Sequence, residues 1–359
     1  MHAAKQVTQN RLAAITRRYP RLRIAVAGDF CLDRYLEIDP ARRETSIETG
    51  LEVHNVVRIR SQPGGAGTIL NNLVALGIGR LYPIGFCGPE GEGFELRGAL
   101  AKLPGVDCSG FVRTKQRRTF TYAKPLLMHP DRPPEELNRL DSKNWTPTPG
   151  PLERRLVRFL ERLAGQLDGL ILLDQVDVPE TGVVTRNFLQ CVEQLTTRRP
   201  KLLVLADSRK GLREFPAVCL KMNGAELAAL TGRPIAAEVD LVKNMATELA
   251  RARGQLVFVT LAERGMVGAQ ASGRACHVPA FPVRGPIDIV GAGDAVTANL
   301  VAALAGGASV EEALWIASAA ASVVIHQLGT TGTATVESIR RALRCSPRRG
   351  AMAEGGPVG

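Results

Sequence analysis

A short glycine-rich stretch with an aspartate at each end offers the clearest chemistry in the chain. It reads Asp288-Ile-Val-Gly291-Ala292-Gly293-Asp294 and leads into an alanine-rich, helix-forming run. Small residues let backbone amides approach a ligand, and a helix start directs free N–H groups and positive dipole charge to the same point, which suits an anion. A carboxylate inside an anion site indicates chemistry. We therefore interpret Asp294 as a base that removes a proton from a hydroxyl while the amides of residues 291–293 hold phosphoryl oxygens. A glycine loop that ends in a helix-capping aspartate is the alternative.

Two carboxylates that follow the first predicted strand form a second candidate site. The run Ile24-Ala-Val-Ala27 is continuously apolar and closes with Gly28-Asp29, as is typical of a buried parallel strand. Since the carboxyl ends of parallel strands border the crevice in which α/β sheets bind ligands, Asp29 and Asp33 are candidates to hold sugar hydroxyls. Capping of the turn is the alternative role for both.

A further glycine-rich run lies between two segments in which apolar and polar residues alternate. The run Gln62-Pro-Gly64-Gly65-Ala-Gly67 precedes a predicted helix over residues 68–76, and the alternating segments cover 51–59 and 120–124. Glycines at a helix start allow close approach of backbone to ligand, although one such loop is weak evidence. Period two predicts strands with one covered and one wet face. We predict a small accessory sheet that serves as a lid over the crevice or as a dimer surface.

From residue 152 onward, predicted helices and strands alternate. Strands are predicted over 169–174, 201–206, 218–222 and 255–261, and helices over 152–164, 180–195 and 241–253. This order implies βαβ units with right-handed crossovers, so we predict an α/β fold with one mostly parallel sheet. The predicted single domain spans 1–345, with lid segments at about 34–62 and 111–128. Residues 128–151 are predicted to be a surface connection and 346–359 a disordered tail.

Composition narrows the class of protein. The net charge of +11 is spread over several patches, and aromatic residues make up 4%, so a nucleic-acid platform is disfavoured and no nucleic-acid partner is expected. Seven cysteines without a C-x-x-C pair argue against a disulfide framework or a zinc site and favour a cytoplasmic protein. No apolar run is long enough to span a membrane, so no membrane partner is expected.

Several separated motifs resemble the ribokinase-like, or PfkB-type, carbohydrate kinases. The matching pieces, in the family's order, are Gly28-Asp29 with Asp33, Pro63-Gly64-Gly65-Ala66, Asn223-Gly-Ala-Glu226, Val259-Thr260 with Gly265, and Asp288 with Gly291-Ala292-Gly293-Asp294. Within that family the chain looks most like the kinase domain of bacterial heptose-phosphate kinases of the ADP-heptose pathway. That likeness adds Arg139-Leu140-Asp141, Asp207 with Lys210-Gly211, and Leu328-Gly329-Thr330.

The resemblance implies a three-layer α/β/α domain and an ATP-dependent sugar or sugar-phosphate kinase that uses Mg²⁺, with K⁺ as a further candidate ion. It implies Asp294 as the base and the amides of Gly291, Ala292 and Gly293 as the anion hole. The implied substrate-binding residues are Asp29, Asp33, Gly64, Gly65, Thr68, Arg139 and Asp141. The implied nucleotide-binding residues are Asp207, Lys210, Asn223, Glu226, Thr260, Gly265 and Ser318. Asn223 and Glu226 would place Mg²⁺, mostly through water, and Asp288 would lie near a monovalent cation.

Four positions depart from the family's pattern. Thr68 stands where an asparagine is expected, Ala262 where Gly or Ser is usual, and Ser318 where the heptose kinases carry Asn. The segment Leu173-Asp-Gln-Val-Asp177 replaces a Ser-Asp-Tyr-x-Lys-Gly motif and so removes a lysine near the phosphate path. Because the nucleotidyltransferase domain often fused to those kinases is missing from this sequence, the expected activity is phosphorylation alone. A kinase for a nucleoside or another small alcohol, and a non-catalytic binding protein on the same fold, are the alternatives. A homodimer through the lid is also predicted.

Overall fold

The structure, a computed structural model, describes residues 6–234 and 238–345. The predicted tail at 346–359 lies outside the described residues. The strands are β1 (Arg23–Gly28), β2 (Phe30–Ile38), β3 (Glu44–Thr45), β4 (Glu52–Val53), β5 (Val56–Gly65), β6 (Arg80–Cys87), β7 (Phe111–Arg113), β8 (Phe120–Leu127), β9 (Glu135–Glu136), β10 (Leu140–Ser142), β11 (Gly169–Asp174), β12 (Leu203–Ser208), β13 (Cys219–Asn223), β14 (Val257–Thr260), β15 (Met266–Ala269) and β16 (Ala275–Val278). The helices are α1 (Gln9–Thr16), α2 (Ala66–Ala75), α3 (Gly91–Ala101), α4 (Gly150–Ala164), α5 (Arg186–Arg198), α6 (Gly224–Thr231), α7 (Val239–Arg253), α8 (Ala292–Ala305), α9 (Val310–Val324) and α10 (Val336–Cys345).

A nine-stranded sheet forms the centre, in the order β16-β15-β14-β13-β12-β11-β1-β6-β7. Every pair from β7 to β14 is parallel, and β15 and β16 join antiparallel at one edge. The carboxyl ends of the parallel strands therefore meet at one edge, where an open α/β sheet binds its ligands. The predicted α/β fold with a mostly parallel sheet is confirmed.

Helices cover both faces of this sheet, because successive residues of each buried strand point to opposite sides. In β1, Ile24 and Val26 pack into a core shared with α1, α2, α8 and α9. Ala25 and Ala27 of the same strand pack into a second core with α4, α5 and α7. Among the described residues, every helix is too short or too polar to cross a membrane.

A second sheet of five strands forms the lid, in the order β10-β8-β2-β5 with β9 paired to β8. Strand β2 is its long central strand, antiparallel to β5 and parallel to β8. The predicted lid range 111–128 is wrong at its start, since β7 pairs with β6 in the large sheet. Three residues are too few for a hydrophobic period to distinguish the two sheets. The second sheet also contains β9 and β10, which lie within residues 128–151, the predicted surface connection.

Three further local predictions are corrected by the structure. Asp29 and Asp33 were predicted to share one turn after β1. Only Asp29 lies between the strands, because β2 begins at Phe30 and contains Asp33. The predicted helix over 180–195 begins only at Arg186, after Glu180 adopts a positive φ of 65° and Thr185 caps the helix. The glycine run at 62–65 belongs to the end of β5, and α10 was not predicted.

Candidate active site

The anion loop at residues 291–293 forms the start of α8. Gly291 is the N-cap residue with a φ of 83°, a conformation that residues with a Cβ rarely adopt. The N–H groups of the first helical turn have no partner inside the helix and carry positive dipole charge. The amide of Ala292 donates to the carbonyl of Ile289 at 3.2 Å, so one of the three predicted anion-hole amides is engaged within the loop.

Asp294 lies in the first turn of α8, as predicted. Burial and the negative charge of Asp207 raise its pKa to about 7, against the attraction of Lys221 and Arg209. A carboxylate with a pKa near neutrality is well matched to accept a proton at physiological pH. The N-cap residue of α8 is Gly291, which has no side chain to cap the helix, so Asp294 is not the N-cap residue.

Asp207, predicted to bind the nucleotide, is instead held by two neighbours. Lys221 Nζ lies 2.7 Å from Asp207 Oδ2, and Thr297 of α8 donates to the same oxygen at 3.1 Å. Asp207 is the penultimate residue of β12 and Lys221 lies on β13, so adjacent strands of the sheet bring the pair together. Asp207 therefore forms an ion pair near the start of α8, and its contact with a nucleotide stays a prediction.

Asp29, predicted to bind substrate, has both carboxylate oxygens occupied by main-chain amides. Gln175 N donates to Oδ2 at 2.8 Å and Val183 N donates to Oδ1 at 2.9 Å. Burial and nearby Asp174 raise the pKa of Asp29 to about 7, and these amide hydrogen bonds oppose the rise. Asp29 thus fixes two loops at the carboxyl edge of the sheet, which the sequence pattern did not indicate.

Asp33 is a buried residue of β2, the central strand of the second sheet. It aligns with Gln62 of β5 on one side and with Tyr122 of β8 on the other, and Tyr122 in turn aligns with Asp141 of β10. Burial raises the pKa of Asp33, while Lys124 and Arg139 oppose the rise. A side chain at Gly64 would collide with the Asp33 carboxylate, so the glycine keeps β5 close to this group.

Arg139 and Asp141 lie together at the edge of the lid. Arg139 Nε lies 2.8 Å from Asp141 Oδ1, and its Nη2 donates to Oδ2 at 2.8 Å, a two-pronged ion pair. The Arg139 guanidinium also lies 5.0 Å from the centre of the Tyr122 ring. Lys143 lies 3.3 Å from Asp141 and 2.7 Å from Asp177, the residue that stands where the family motif has lysine.

Asn223 and Glu226 form a reciprocal cap at the start of α6. Asn223 Oδ1 accepts from Glu226 N at 2.9 Å, and Glu226 Oε2 accepts from Asn223 N at 2.7 Å. This capping box is a sufficient structural role for both residues. No group of three or more His, Cys, Asp or Glu side chains that could hold a metal is found in the described part of the chain. A magnesium ion here would depend on water and phosphate oxygens, as that ion ordinarily does.

The remaining predicted positions lie at the carboxyl edge or just beyond it. Thr260 donates to Met222 O at 3.4 Å, and Ser318 donates to Pro279 O at 3.4 Å. Lys210 is exposed, and Gly265 closes the turn between β14 and β15, with its carbonyl accepting from Leu261 at 2.8 Å.

Two other predicted positions lie beside the anion loop. Thr68 is buried in α2, and its methyl carbon lies 3.5 Å from the point that a Cβ on Gly291 would occupy. The Asp288 carboxylate accepts from Val290 N at 3.0 Å and from Gly329 N at 3.3 Å, which ties the anion loop to the loop after α9. A side chain on Gly291 would therefore crowd both α2 and that second loop.

Sequence reasoning missed Lys221, Arg209 and Gln62. Lys221 interrupts the apolar run of β13, and a charged residue inside a buried strand was the available signal. Arg209 is exposed just after β12 and acts electrostatically on Asp33, Asp294 and Glu226. Gln62 has no sequence signal, because its partners lie 268 and 269 residues further along the chain.

Comparisons with known proteins agree with this geometry. Residues 189–336 match the family described as pfkB family carbohydrate kinase. Bifunctional protein HldE of Bradyrhizobium sp. (strain ORS 278) is 31% identical over 324 residues, which cover 90% of this chain and 64% of that protein. Bifunctional protein HldE of Azorhizobium caulinodans is 30% identical over 321 residues, with 89% and 64% covered. The chain thus spans less than two thirds of the length of these relatives.

Solved structures show the same fold. Phosphofructokinase-2 from Escherichia coli in complex with substrates and products superposes with a TM-score of 0.70 at 19% identity, covering 90% of this chain and 98% of that one. Ribokinase from Arabidopsis thaliana complexed with ribose and ATP gives a TM-score of 0.66 at 20% identity, with 90% and 99% covered. These likenesses establish a ribokinase-like fold. The chain is therefore similar to the pfkB family of carbohydrate kinases over residues 189–336 and has a ribokinase-like fold.

Proposed function

We propose that the chain is an ATP-dependent kinase that phosphorylates a hydroxyl of a sugar or sugar phosphate. The observation that carries the proposal is the position of Asp294 in the first turn of α8, beside the anion loop and with a pKa of about 7. The motif resemblance to bacterial heptose-phosphate kinases supports a heptose phosphate as acceptor. A Cβ on Gly291 would lie only 3.3 Å from Thr331, so the glycine leaves the loop without a side chain, as suits a phosphate group held by backbone amides.

Each group in the cleft has a defined part in this proposal. When bound, Mg²⁺ and ATP supply the phosphoryl group and neutralise its charge. Asp294 accepts the proton of the acceptor hydroxyl, and the amides at the start of α8 hold phosphate oxygens. Asp33 is the lid carboxylate placed to hold the sugar, while Asp29 positions the loops at 175 and 183.

The proposal also covers the bound ions, the oligomeric state and the cellular compartment. Glu226 is the described carboxylate proposed to place Mg²⁺ through water. A K⁺ ion beside Asp288 would compete with the two amides that this carboxylate already accepts. The open edge of β5 is the proposed dimer surface. Six of the seven cysteines, from Cys31 to Cys276, are free, which supports a cytoplasmic protein.

The deciding experiment couples ADP release to a panel of sugars, sugar phosphates and nucleosides with MgATP. We expect turnover with a sugar or sugar phosphate, and a loss of at least a hundredfold in Asp294→Asn, since that variant lacks the base. Binding of MgATP, measured by calorimetry, should be retained in the variant because the anion loop is intact. Asp240→Asn, at an exposed carboxylate of α7, serves as the control away from the candidate site.

Two outcomes would contradict the proposal. Near-normal turnover by Asp294→Asn would remove the base from its role. No turnover across the panel by a protein that still binds MgATP would favour a non-catalytic binding protein.

A further inference from the structure

The lid and the body of the protein meet at an ion pair beside the candidate site. Lys143 follows β10 of the lid, and Asp177 lies in the loop after β11 of the large sheet. Lys143 Nζ lies 2.7 Å from Asp177 Oδ2 and 3.3 Å from Asp141 Oδ2. Around the pair, Tyr122 of the lid and Val176 of the loop line a cavity of about 10 Å³, which is room for at most one water molecule. The lid and the loop therefore pack closely at this point.

The loop that carries Asp177 is held in place by the body. Its main-chain amides at residues 175 and 183 donate to the buried Asp29 carboxylate, at 2.8 and 2.9 Å. Thr148, in the segment where the chain leaves the lid, donates to two main-chain carbonyls of the loop at 2.7 Å each. Asp177 thus projects from a fixed segment, and Lys143 is the lid residue that contacts it.

On the lid side, the ion pair is connected to the carboxylate proposed to hold the sugar. Asp141 of β10 aligns with Tyr122 of β8, and Tyr122 aligns with Asp33 of β2. Lys143 Nζ also lies 5.8 Å from the centre of the Tyr122 ring. Because the three strands share one hydrogen-bonded sheet, a shift of β10 away from the loop would pull on the strands that carry Tyr122 and Asp33.

A solvated ion pair without consequence is the simpler role for these two residues. The Asp177 side chain is 57% exposed, and exposed ion pairs ordinarily contribute little to stability. The pair formed by Lys243 and Asp240 of α7, 3.0 Å apart, has the same chemistry and similar exposure within a single helix. The pair at Lys143 differs in its position, because its partners lie 34 residues apart and join the lid to the body.

We infer that Lys143 is a positioning residue for the acceptor, because its ion pair with Asp177 holds the β10 side of the lid against the body. The inference rests on the proposed function and deepens it. Asp177 stands where the motif of the heptose kinases has a lysine, so in this chain the loop offers the lysine of the lid a carboxylate. Loss of the ion pair leaves Asp294 and the anion loop intact and loosens the lid around Asp33.

A double-mutant cycle tests this role with the acceptor found in the panel. Lys143→Met and Asp177→Asn should each raise the acceptor KM about threefold to fivefold, as for loss of an ion pair of this exposure. The double variant should match the single variants, because the same ion pair is lost only once. The values of kcat and of the Kd of MgATP should change less than about twofold, since the base and the anion loop are untouched. Lys143→Arg, which keeps the charge, should restore the KM of the wild type.

Two further measurements separate this role from a general effect on the fold. Lys243→Met is the matched control, since it removes an ion pair of the same kind from α7, and its acceptor KM should equal that of the wild type. Hydrogen exchange with mass spectrometry needs no acceptor. In Lys143→Met, exchange in the segment that contains β10 should become about threefold faster or more, while exchange in β11 stays unchanged.

Three outcomes would overturn the inference. An unchanged acceptor KM in Lys143→Met, or single effects that add in the double variant, would do so and leave the proposed function standing. Faster exchange in β11 as well as in β10 would give Lys143 a role in overall stability instead of in positioning. A wild-type protein that turns over no acceptor would overturn the proposed function together with this inference.

Discussion

Two carboxylates of the candidate site, those of Asp29 and Asp294, have pKa values raised to about 7, but their surroundings differ. Asp29 accepts hydrogen bonds from two main-chain amides and so holds the backbone of two loops in place. The pKa of Asp294 is lowered by the charges of Lys221 and Arg209 against the larger rise caused by burial. Burial is the largest cause of both shifts, but the neighbours differ, with main-chain amides at Asp29 and charged side chains at Asp294.

The raised pKa of Asp294 predicts a pH-dependent cost to stability. Above its ordinary value of about 3.9 the unfolded carboxyl is ionised, while the folded one stays protonated up to about pH 7. The folded state therefore binds more protons in that window, and stability falls as pH rises through it. Asp294→Asn removes this dependence. We expect its Tm to exceed that of the wild type by about 2 °C or more at pH 8, with a smaller difference at pH 5.

Scanning calorimetry of both proteins at the two pH values measures this difference. Asp288→Asn, which removes a carboxylate with two amide donors, is the control and should lower Tm at both values. An Asp294→Asn variant with a lower Tm than wild type at pH 8 would show that the carboxylate stabilises the fold.

The same residue also predicts the acid limb of turnover. Below about pH 7 a growing fraction of Asp294 is protonated and cannot accept the hydroxyl proton. We expect kcat/KM, with the acceptor found in the panel, to fall about tenfold per pH unit below that point. A rate that is flat from pH 8 to pH 5 would contradict the assignment of the base.

Whether the sequence could predict a contact of the site depends on how far apart its two partners lie along the chain. The anion loop and Asp294 were readable, because small residues and a helix start are neighbours in the chain. The occupied state of Asp29 was not readable, since its donors lie 146 and 154 residues away. The pairing of Asp207 with Lys221 depends on which strands are adjacent, which hydrophobic periods do not determine.

At the scale of elements, a glutamine of β5 links the lid sheet to the loop after α9. Gln62 of β5 donates to Thr331 Oγ1 at 2.8 Å and accepts from Thr330 Oγ1 at 3.0 Å. Arg60 adds a longer hydrogen bond to Gly329 O at 3.4 Å. The lid sheet itself was predicted from its alternating residues. The role of β2 as its long central strand was hidden, because Phe30-Cys31-Leu32 continues the apolar composition of β1.

Removing this anchor should loosen the lid without unfolding the body. Gln62→Met keeps the side-chain length and deletes both hydrogen bonds, each of which contributes about 1 kcal/mol. We expect amide hydrogen exchange in β5 to become about tenfold faster or more, while exchange in β11 stays unchanged. Hydrogen exchange with mass spectrometry measures both segments. Gln116→Met, at an exposed turn, is the matched control, and unchanged exchange in β5 of Gln62→Met would show that other contacts hold the lid.

At the scale of the whole molecule, the outer strand of the lid has an unpaired edge. Strand β5 pairs with β2 alone, and its Val57 and Ile59 side chains are 50% and 51% exposed. Ile47 and Leu51, in the segment that leads into it, are more exposed still. An open strand edge with apolar side chains is a surface that proteins ordinarily cover. A second copy of the lid is the occupant that we propose.

The molar mass of the protein in solution tests the proposed dimer. Light scattering during gel filtration should give twice the chain mass of 38.6 kDa for the wild type and the chain mass itself for Val57→Lys with Ile59→Lys, because buried lysines would oppose association. Leu241→Lys, at an exposed apolar residue of α7, is the control and should remain dimeric. A wild-type monomer, or a dimeric double variant, would rule out the lid as the interface.

The anchor of the lid also orders events while the protein is being made. Gln62 and Thr331 are 269 residues apart, so the ribosome releases β2 and β5 long before it synthesises the loop that fastens them. Throughout that interval the nascent chain carries an unfastened hairpin with an exposed apolar edge, a form prone to pairing with other chains. Slow translation downstream of β5 should therefore lower the yield of folded protein, and a chaperone that shields strand edges should restore it.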